Sequence, residues 1–206
     1  MIIIFGTTNE RKTEDLKNMI NKLNLDIEVK SLKDINWDLG EIEETGLSLE
    51  ENSLIKASSI HKFCVDNNIY YPILTDDAGL FVESLNGEPG IYTGRYADKE
   101  LSEDPSLPKY ECVNKLLRNL NGIDNRKAYY KCVVTCMYPN GEYFQDFGIS
   151  EGEIADSIVE PLKKPYFYSI FRLINSDKTF NLLTEEELDG TYRYNALNKV
   201  LLRLSK

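Results

Sequence analysis

Residues 1–12, MIIIFGTTNERK, set the frame in which the rest of the chain is read. Ile2, Ile3, Ile4 and Phe5 form an unbroken apolar run, the pattern of a strand buried on both faces. The polar stretch GTTNERK follows at once, and then Leu16, Met19, Ile20 and Leu23 recur at helical spacing. Strand, loop and helix form the opening unit of a chain whose whole pattern, helices early and antiparallel strands late, predicts a mixed α/β fold, and loops at strand ends are where such folds place their ligands. Thr7, Thr8 and Asn9, backbone N–H groups at a helix start and Lys12 one turn further on suit a phosphate. The same Thr and Asn residues would serve equally as plain helix caps.

Working outward, a second strand is predicted near DIEVKSL (26–32), and a helix over SLEENSLIKASSIHKFC (48–64), where Ser48 and Glu51 have capping-box spacing. Leu54, Ala57, Ile60 and Cys64 form its apolar stripe, and Asn52 and Lys56, four apart, share a separate polar face. YYPILTDDAGL (70–80) reads as a short buried strand ending at Asp76 and Asp77, before the Gly/Pro/Asn-rich NGEPGIYTGRYA. A helix carrying Tyr110, Val113, Leu116, Leu117 and Leu120 comes next. From Ala128 the period becomes two, and AYYKCVVTCMY, the turn PNGE and YFQDFGIS predict a hairpin through Asn140-Gly141. GEIADSIV (152–159) and YFYSIFRL (166–173) read as further strands, and RYNALNKVLLRL (193–204) as a closing helix with Leu197, Val200, Leu201 and Leu204 inward.

At 206 residues the chain can bury one sizeable core, as one domain or as two lobes sharing a sheet. Thirty-four acidic against 24 basic residues, with no Lys/Arg cluster, argue against nucleic acid as a partner. A small anion screened by a cation remains compatible with this charge. The N-terminus is too short and too soon polar for a signal peptide or anchor, and no apolar run reaches membrane-spanning length, so a cytoplasmic protein is expected. Cys64, Cys112, Cys132 and Cys136 lack zinc-site spacing and are expected as reduced core residues, Cys132 and Cys136 on one face of a strand.

Polar clusters thus fall at element ends: TTNERK, Glu43-Glu44, Asn52 with Lys56, and Asp76-Asp77. Glu44, Asp76 and Asp77 supply hard oxygen ligands of the kind Mg²⁺ takes together with substrate phosphates; the alternative is three solvated turn residues. With Mg²⁺ present, a partly free carboxylate can deprotonate a water while Lys12 or Lys56 neutralises phosphoryl charge, which is the chemistry of phosphoanhydride hydrolysis. GTTNERKT lacks the second glycine of a P-loop, and no histidine stands near a serine or cysteine in a triad setting.

Thr7-x-Asn9-x-x-Lys12, EETGLSLEENSLIKA (43–57), LTDDAGLFVESLNGEPGIYTGRYA (74–97) and FGISEGEI (147–154), in this order, resemble the inosine triphosphate pyrophosphatase or Ham1-like family. The resemblance covers roughly residues 1–160. It implies a long central mixed β-sheet with helices forming two lobes around a nucleotide cleft, residues 1–206 making a single two-lobed domain, usually in a homodimer. It further implies Mg²⁺-dependent cleavage of a nucleoside triphosphate between the α- and β-phosphates. Carried over by motif, Thr7, Asn9 and Lys12 would hold the triphosphate, with Lys56 a second phosphate contact; Thr8 and Asn52, beside them, are counted among the expected substrate-binding residues. Glu44 and Asp77 would bind metal, Asp77 would be the general base, and Asp76 a metal-associated or orienting neighbour. Ala78 stands where the family usually has a serine, so one substrate hydrogen bond is in doubt.

The C-terminal part departs further. Where the family has a GFGYDPIF-like segment this chain has KPYFYSIF, so Phe167 or Tyr168 is expected to stack on a base or merely to alternate in a strand. Tyr168 falls where the family's Asp belongs, and a one-residue shift puts Ser169 there. Arg193 matches the family's arginine, but Tyr192, Thr191 and Glu187 stand in for histidine, serine and lysine. The expectation is a pyrophosphatase acting on ITP, dITP or XTP; the same reaction on another nucleotide, with the triphosphate apparatus retained and base selectivity changed or relaxed, is the close alternative, and a nucleotide-binding protein without turnover is the third.

Overall fold

A computed structural model of the chain describes residues 1–38, 40–162 and 164–205. The strands are β1 (Ile2–Phe5), β2 (Glu28–Ser31), β3 (Ile73–Val82), β4 (Pro89–Gly90), β5 (Lys127–Met137), β6 (Tyr143–Ile154) and β7 (Phe171–Leu173). The helices are α1 (Glu10–Lys22), α2 (Leu49–Asp66), α3 (Asp98–Glu103), α4 (Glu111–Asn119), α5 (Glu185–Leu188) and α6 (Tyr192–Leu204). Strands pair in the order β2-β1-β3-β5-β6-β7, with β4 on β3, in a mixed sheet. The mixed α/β class expected from the pattern of the whole chain is the class observed.

The chain divides into two compact units, the first built from Met1–Asp77, Cys132–Gly148 and the residues from Arg193 onward, the second from Ala78–Lys131 and Ile149–Tyr192. In the first unit β1 pairs in parallel with β2, Ile2 opposite Glu28 through Phe5 opposite Ser31, and with β3 at Ile4–Ile73 and Phe5–Leu74. Parallel pairs need coverage on both faces, which explains why Ile3, Ile4, Phe5, Ile73 and Leu74 are all fully buried. Leu16, Met19 and Ile20 of α1 and Ala57, Ile60 and Cys64 of α2 supply buried helix stripes. Leu54 is only half-buried, whereas Asn52 and Ser53 are fully enclosed, so the polar face of α2 lies inside the fold. Ser48 caps this helix by accepting from the Glu51 N–H, while Glu51 returns its carboxylate to the Leu47 N–H, one residue before the cap.

In the second unit the end of β3 pairs antiparallel with β4, Leu80 opposite Gly90 and Phe81 opposite Pro89. The expectation that this strand stops at the acidic pair is therefore corrected. Ala78-Gly79 reads as a turn in sequence, yet Gly79 serves close approach: a Cβ there would lie 2.5 Å from the Gly90 carbonyl oxygen. GEIADSIV is likewise not a separate strand, because Gly152–Ile154 is the end of β6, paired with β7. Beyond it the Ile154 and Ala155 carbonyls accept from the Arg126 guanidinium, which ends the ladder.

YFYSIFRL is also corrected: Tyr166–Ser169 form a 3-10 turn, closed by the Ser169 hydroxyl on the Tyr166 carbonyl at 2.6 Å, and only Phe171–Leu173 are extended. Tyr168 and Phe171 both pack edge-on against Tyr130 and Phe180, which are themselves stacked. Aromatic packing, not strand alternation, thus sets these spacings. All four cysteines are free thiols, with Cys64, Cys132 and Cys136 buried. Among the described residues no helix is long and apolar enough to cross a membrane.

Candidate active site

Gly6 follows β1 where there is no room for a side chain, since a Cβ on it would meet Ile60 Cδ1 at 2.5 Å and Thr75 Cγ2 at 2.7 Å. The chain then turns into α1 through side-chain caps. The Thr7 hydroxyl accepts from the Asn9 N–H at 3.1 Å, and Asn9 Oδ1 accepts from Arg11 N–H at 3.1 Å and Lys12 N–H at 3.4 Å. Thr7 and Asn9 therefore act as caps in this structure, which aims Lys12 inward; Thr8 is exposed.

The Lys12 ammonium donates to both oxygens of Asp76, at 3.1 and 3.0 Å, and the Arg193 guanidinium reaches Asp76 Oδ2 at 2.9 Å. Asp76 is 4% exposed. Burial alone would raise its pKa, but Arg193, Lys12 and Lys56 hold it well below the usual carboxylate range, so it stays ionised. Lys12 is shifted down by burial and by the Arg193 charge, against the pull of Asp76.

Asp77, the next residue, faces a different environment. The Lys56 ammonium donates to Asp77 Oδ1 at 3.2 Å and to Glu44 Oε1 at 3.0 Å. Burial raises the Asp77 pKa, with Lys56 opposing, and Asp77 Oδ2 is buried with no hydrogen-bond partner. For Lys56, burial is outweighed by Asp77, Asp76 and Glu44, which raise its pKa and keep it charged. Two neighbouring carboxylates thus differ in kind, one saturated by cations and one with a spare oxygen.

These carboxylates are aligned by a buried hydroxyl strut. Ser53 Oγ bonds the Thr75 carbonyl at 3.1 Å and lies 2.7 Å from Thr135 Oγ1, the Thr75 hydroxyl donates to the Ser53 carbonyl at 2.7 Å, and Gln145 Nε2 donates to Thr135 Oγ1 at 2.9 Å. The strut ties α2, which carries Lys56, to β3, which carries Asp76 and Asp77. Ser53, Thr75, Thr135 and Gln145 were not legible as site residues; the one available signal is Thr135, a hydroxyl inside the apolar run CVVTCM.

Among the described residues no three His, Cys, Asp or Glu side chains converge on a point that could hold a metal. A cation that takes one or two carboxylates and completes its shell with water and substrate oxygens needs no such cage. Glu44 with the orphaned Asp77 Oδ2 fits that donor pattern, while Asp76 is engaged by two cationic side chains.

In the second unit, Tyr168 and Tyr192 join hydroxyls at 2.7 Å, and Tyr192 stacks on Tyr130 at 4.8 Å between centroids. Phe167 is buried and Ala78 half-buried. Glu187, the counterpart of the family's lysine, is committed to its own helix: it caps α5 through the Thr184 N–H at 2.8 Å and accepts from Lys178 at 2.8 Å. Arg193, placed by sequence with the base-reading residues, is the partner of Asp76.

An α/β fold that gathers Lys12, Lys56 and Arg193 around Glu44, Asp76 and Asp77 defines a class, a protein equipped for a polyphosphate and a divalent cation. The chain belongs to the Ham1 family, whose family model matches residues 3–202. A dITP/XTP pyrophosphatase of Thermoanaerobacter pseudethanolicus is 38% identical, over 97% of this chain and 94% of that protein. A dITP/XTP pyrophosphatase of Borreliella burgdorferi is 34% identical, over 93% and 90%. Among solved structures, the Staphylococcus aureus Ham1 protein superposes with a TM-score of 0.80 at 30% identity, covering 99% of this chain and 98% of that one.

Proposed function

We propose that this chain hydrolyses a nucleoside triphosphate of the ITP, dITP or XTP type to the monophosphate and pyrophosphate. It is a nucleoside triphosphate pyrophosphohydrolase, a hydrolase of acid anhydrides, in which residues 1–206 work as one two-lobed domain, as a homodimer in the cytoplasm. Family membership and the printed activities of the relatives support this reading. The observation that carries it is the division of labour between Asp76, clasped by Lys12 and Arg193, and Asp77, which shares Lys56 with Glu44 and keeps one buried oxygen unpartnered.

Glu44 and Asp77 would hold the cation, taken as Mg²⁺ from the hard-oxygen donors, and when bound it would neutralise charge on the phosphoryl oxygens. Asp77, raised by burial toward the range of a useful base, accepts the proton of the attacking water. The water oxygen bonds to phosphorus as the α–β bridge breaks, and pyrophosphate leaves with the electron pair of that bond. Lys12, Lys56 and Arg193 balance the anion as it forms, and Thr7, Thr8 and Asn9, at the positive end of the α1 dipole, would contact the phosphates. Asp76 orients Lys12 and Arg193. Asn52 completes the phosphate contacts.

A second reading concerns the base. Tyr168, Tyr192 and Phe167, with Ala78, would line its site, and the Tyr168–Tyr192 hydroxyl pair can both donate and accept, which favours relaxed base selectivity. A panel of standard, deaminated and modified triphosphates tests both readings, scored for monophosphate plus pyrophosphate against diphosphate plus phosphate. Pyrophosphate from dITP or XTP is expected, and from Asp77→Asn a kcat at least 100-fold lower. Full turnover by that variant would remove Asp77 from the base role.

A further inference from the structure

The loop that carries Glu44 is held by side chains of α2. Asn52 is fully enclosed on α2, and its Oδ1 accepts from the Gly46 N–H at 2.8 Å. The donor on Gly46 fixes which amide atom faces the loop, so the Nδ2 group points elsewhere. That Nδ2 is buried and has no hydrogen-bond partner. Gly46 fits this clamp because a Cβ on it would stand 2.7 Å from Asn52 Oδ1 and 2.7 Å from Glu51 Cβ. Glu51 adds a second clasp, accepting from the Leu47 N–H at 2.6 Å.

A buried amide donor left unmade costs on the order of 1–3 kcal/mol, so a folded chain does not leave one idle without a reason. Asn52 lies one helical turn before Lys56, on the same face of α2, and Lys56 reaches Glu44 and Asp77. We infer that Asn52 has two jobs: Oδ1 positions the Glu44 loop, and Nδ2 donates to an anionic oxygen of the bound polyphosphate. This deepens the proposed function and rests on it. The amide is suited to the task because it adds a donor without adding a charge, next to an ammonium already shared by two carboxylates.

Asn52→Asp separates the two jobs. It preserves size and the acceptor for Gly46 N–H, but replaces the donor with an oxygen that repels phosphate. The probe is inorganic triphosphate with Mg²⁺, titrated calorimetrically, beside amide hydrogen exchange at Gly46. Asn52→Asp is expected to keep slow exchange at Gly46 and to weaken triphosphate binding at least tenfold. Asn52→Ala is expected to lose both. Triphosphate affinity within twofold of the parent in Asn52→Asp overturns the inference. Should that variant fail to fold, unchanged affinity in Asn52→Ala overturns it equally. A parent that hydrolyses triphosphates while Asn52→Asp binds normally refutes only the role of Asn52. A parent that neither binds triphosphate nor releases pyrophosphate refutes the function itself, and this inference with it.

Discussion

Asp76 and Asp77 are joined by one peptide bond and differ in what surrounds each carboxylate. Strand geometry sends successive side chains to opposite faces, so one meets Lys12 and Arg193 while the other meets Lys56. Asp76 balances the charge of two half-buried cations, and removing it takes a partner from each. Asp76→Asn is expected to lower the unfolding free energy by about 3 kcal/mol, read from denaturant midpoints at pH 7. The loss should be partly recovered by adding triphosphate, whose charge replaces that of Asp76. The types and positions of these residues were legible in sequence. That Arg193, more than a hundred residues away along the chain, closes on Asp76 was not, because a guanidinium can partner any carboxylate and spacing carries no information on long-range contacts.

At the scale of elements, α2 is unusual in presenting its polar face inward. Asn52 and Ser53 are fully buried there, with Ser53 bonded to β3 and to Thr135 on β5. Periodicity correctly placed Ala57, Ile60 and Cys64 inside, while Leu54 is half-buried and the polar Asn52 and Ser53 are enclosed. A helix whose polar side chains find buried partners breaks the amphipathic rule at those positions. Thr135→Val keeps the shape of the side chain and removes the central hydroxyl of the strut. It is expected to cost about 1–2 kcal/mol of stability by thermal or chemical unfolding, with the Asp77-dependent activity reduced as Lys56 loses register. Gly152→Ala tests the other ladder: a Cβ 2.1 Å from the Arg172 carbonyl oxygen cannot coexist with the β6–β7 pairing, so soluble yield or melting temperature should fall clearly.

For the whole molecule, burial of thiols links stability to alkaline pH. Burial pushes Cys64 up to about 11 and Cys132 and Cys136 up to about 12, from an ordinary value of 9.0. A group whose pKa is higher folded than unfolded stabilises the fold fully below the unfolded value, and that contribution is lost as pH rises toward the folded one. Stability should therefore decline from pH 9 upward, and Cys136→Ala should flatten the decline, as read from denaturant midpoints across pH 8–11. A thiol reagent at pH 8 should label the folded protein slowly and the denatured protein at all four cysteines.

Local pattern reaches as far as local physics does. The apolar run of β1, the stripe of Leu16, Met19 and Ile20 on α1 and the Asn140-Gly141 turn with its positive φ at Gly141 depend on near neighbours, so their reading from sequence and their place in the fold agree. The extension of β3 past Asp77, the 3-10 turn at Tyr166–Ser169, the clamp of Asn52 on Gly46 and the choice of Arg193 as the partner of Asp76 depend on groups far apart along the chain. Each is a matter of close approach or hydrogen-bond satisfaction inside a packed interior, where distance in space and not in sequence selects the partner.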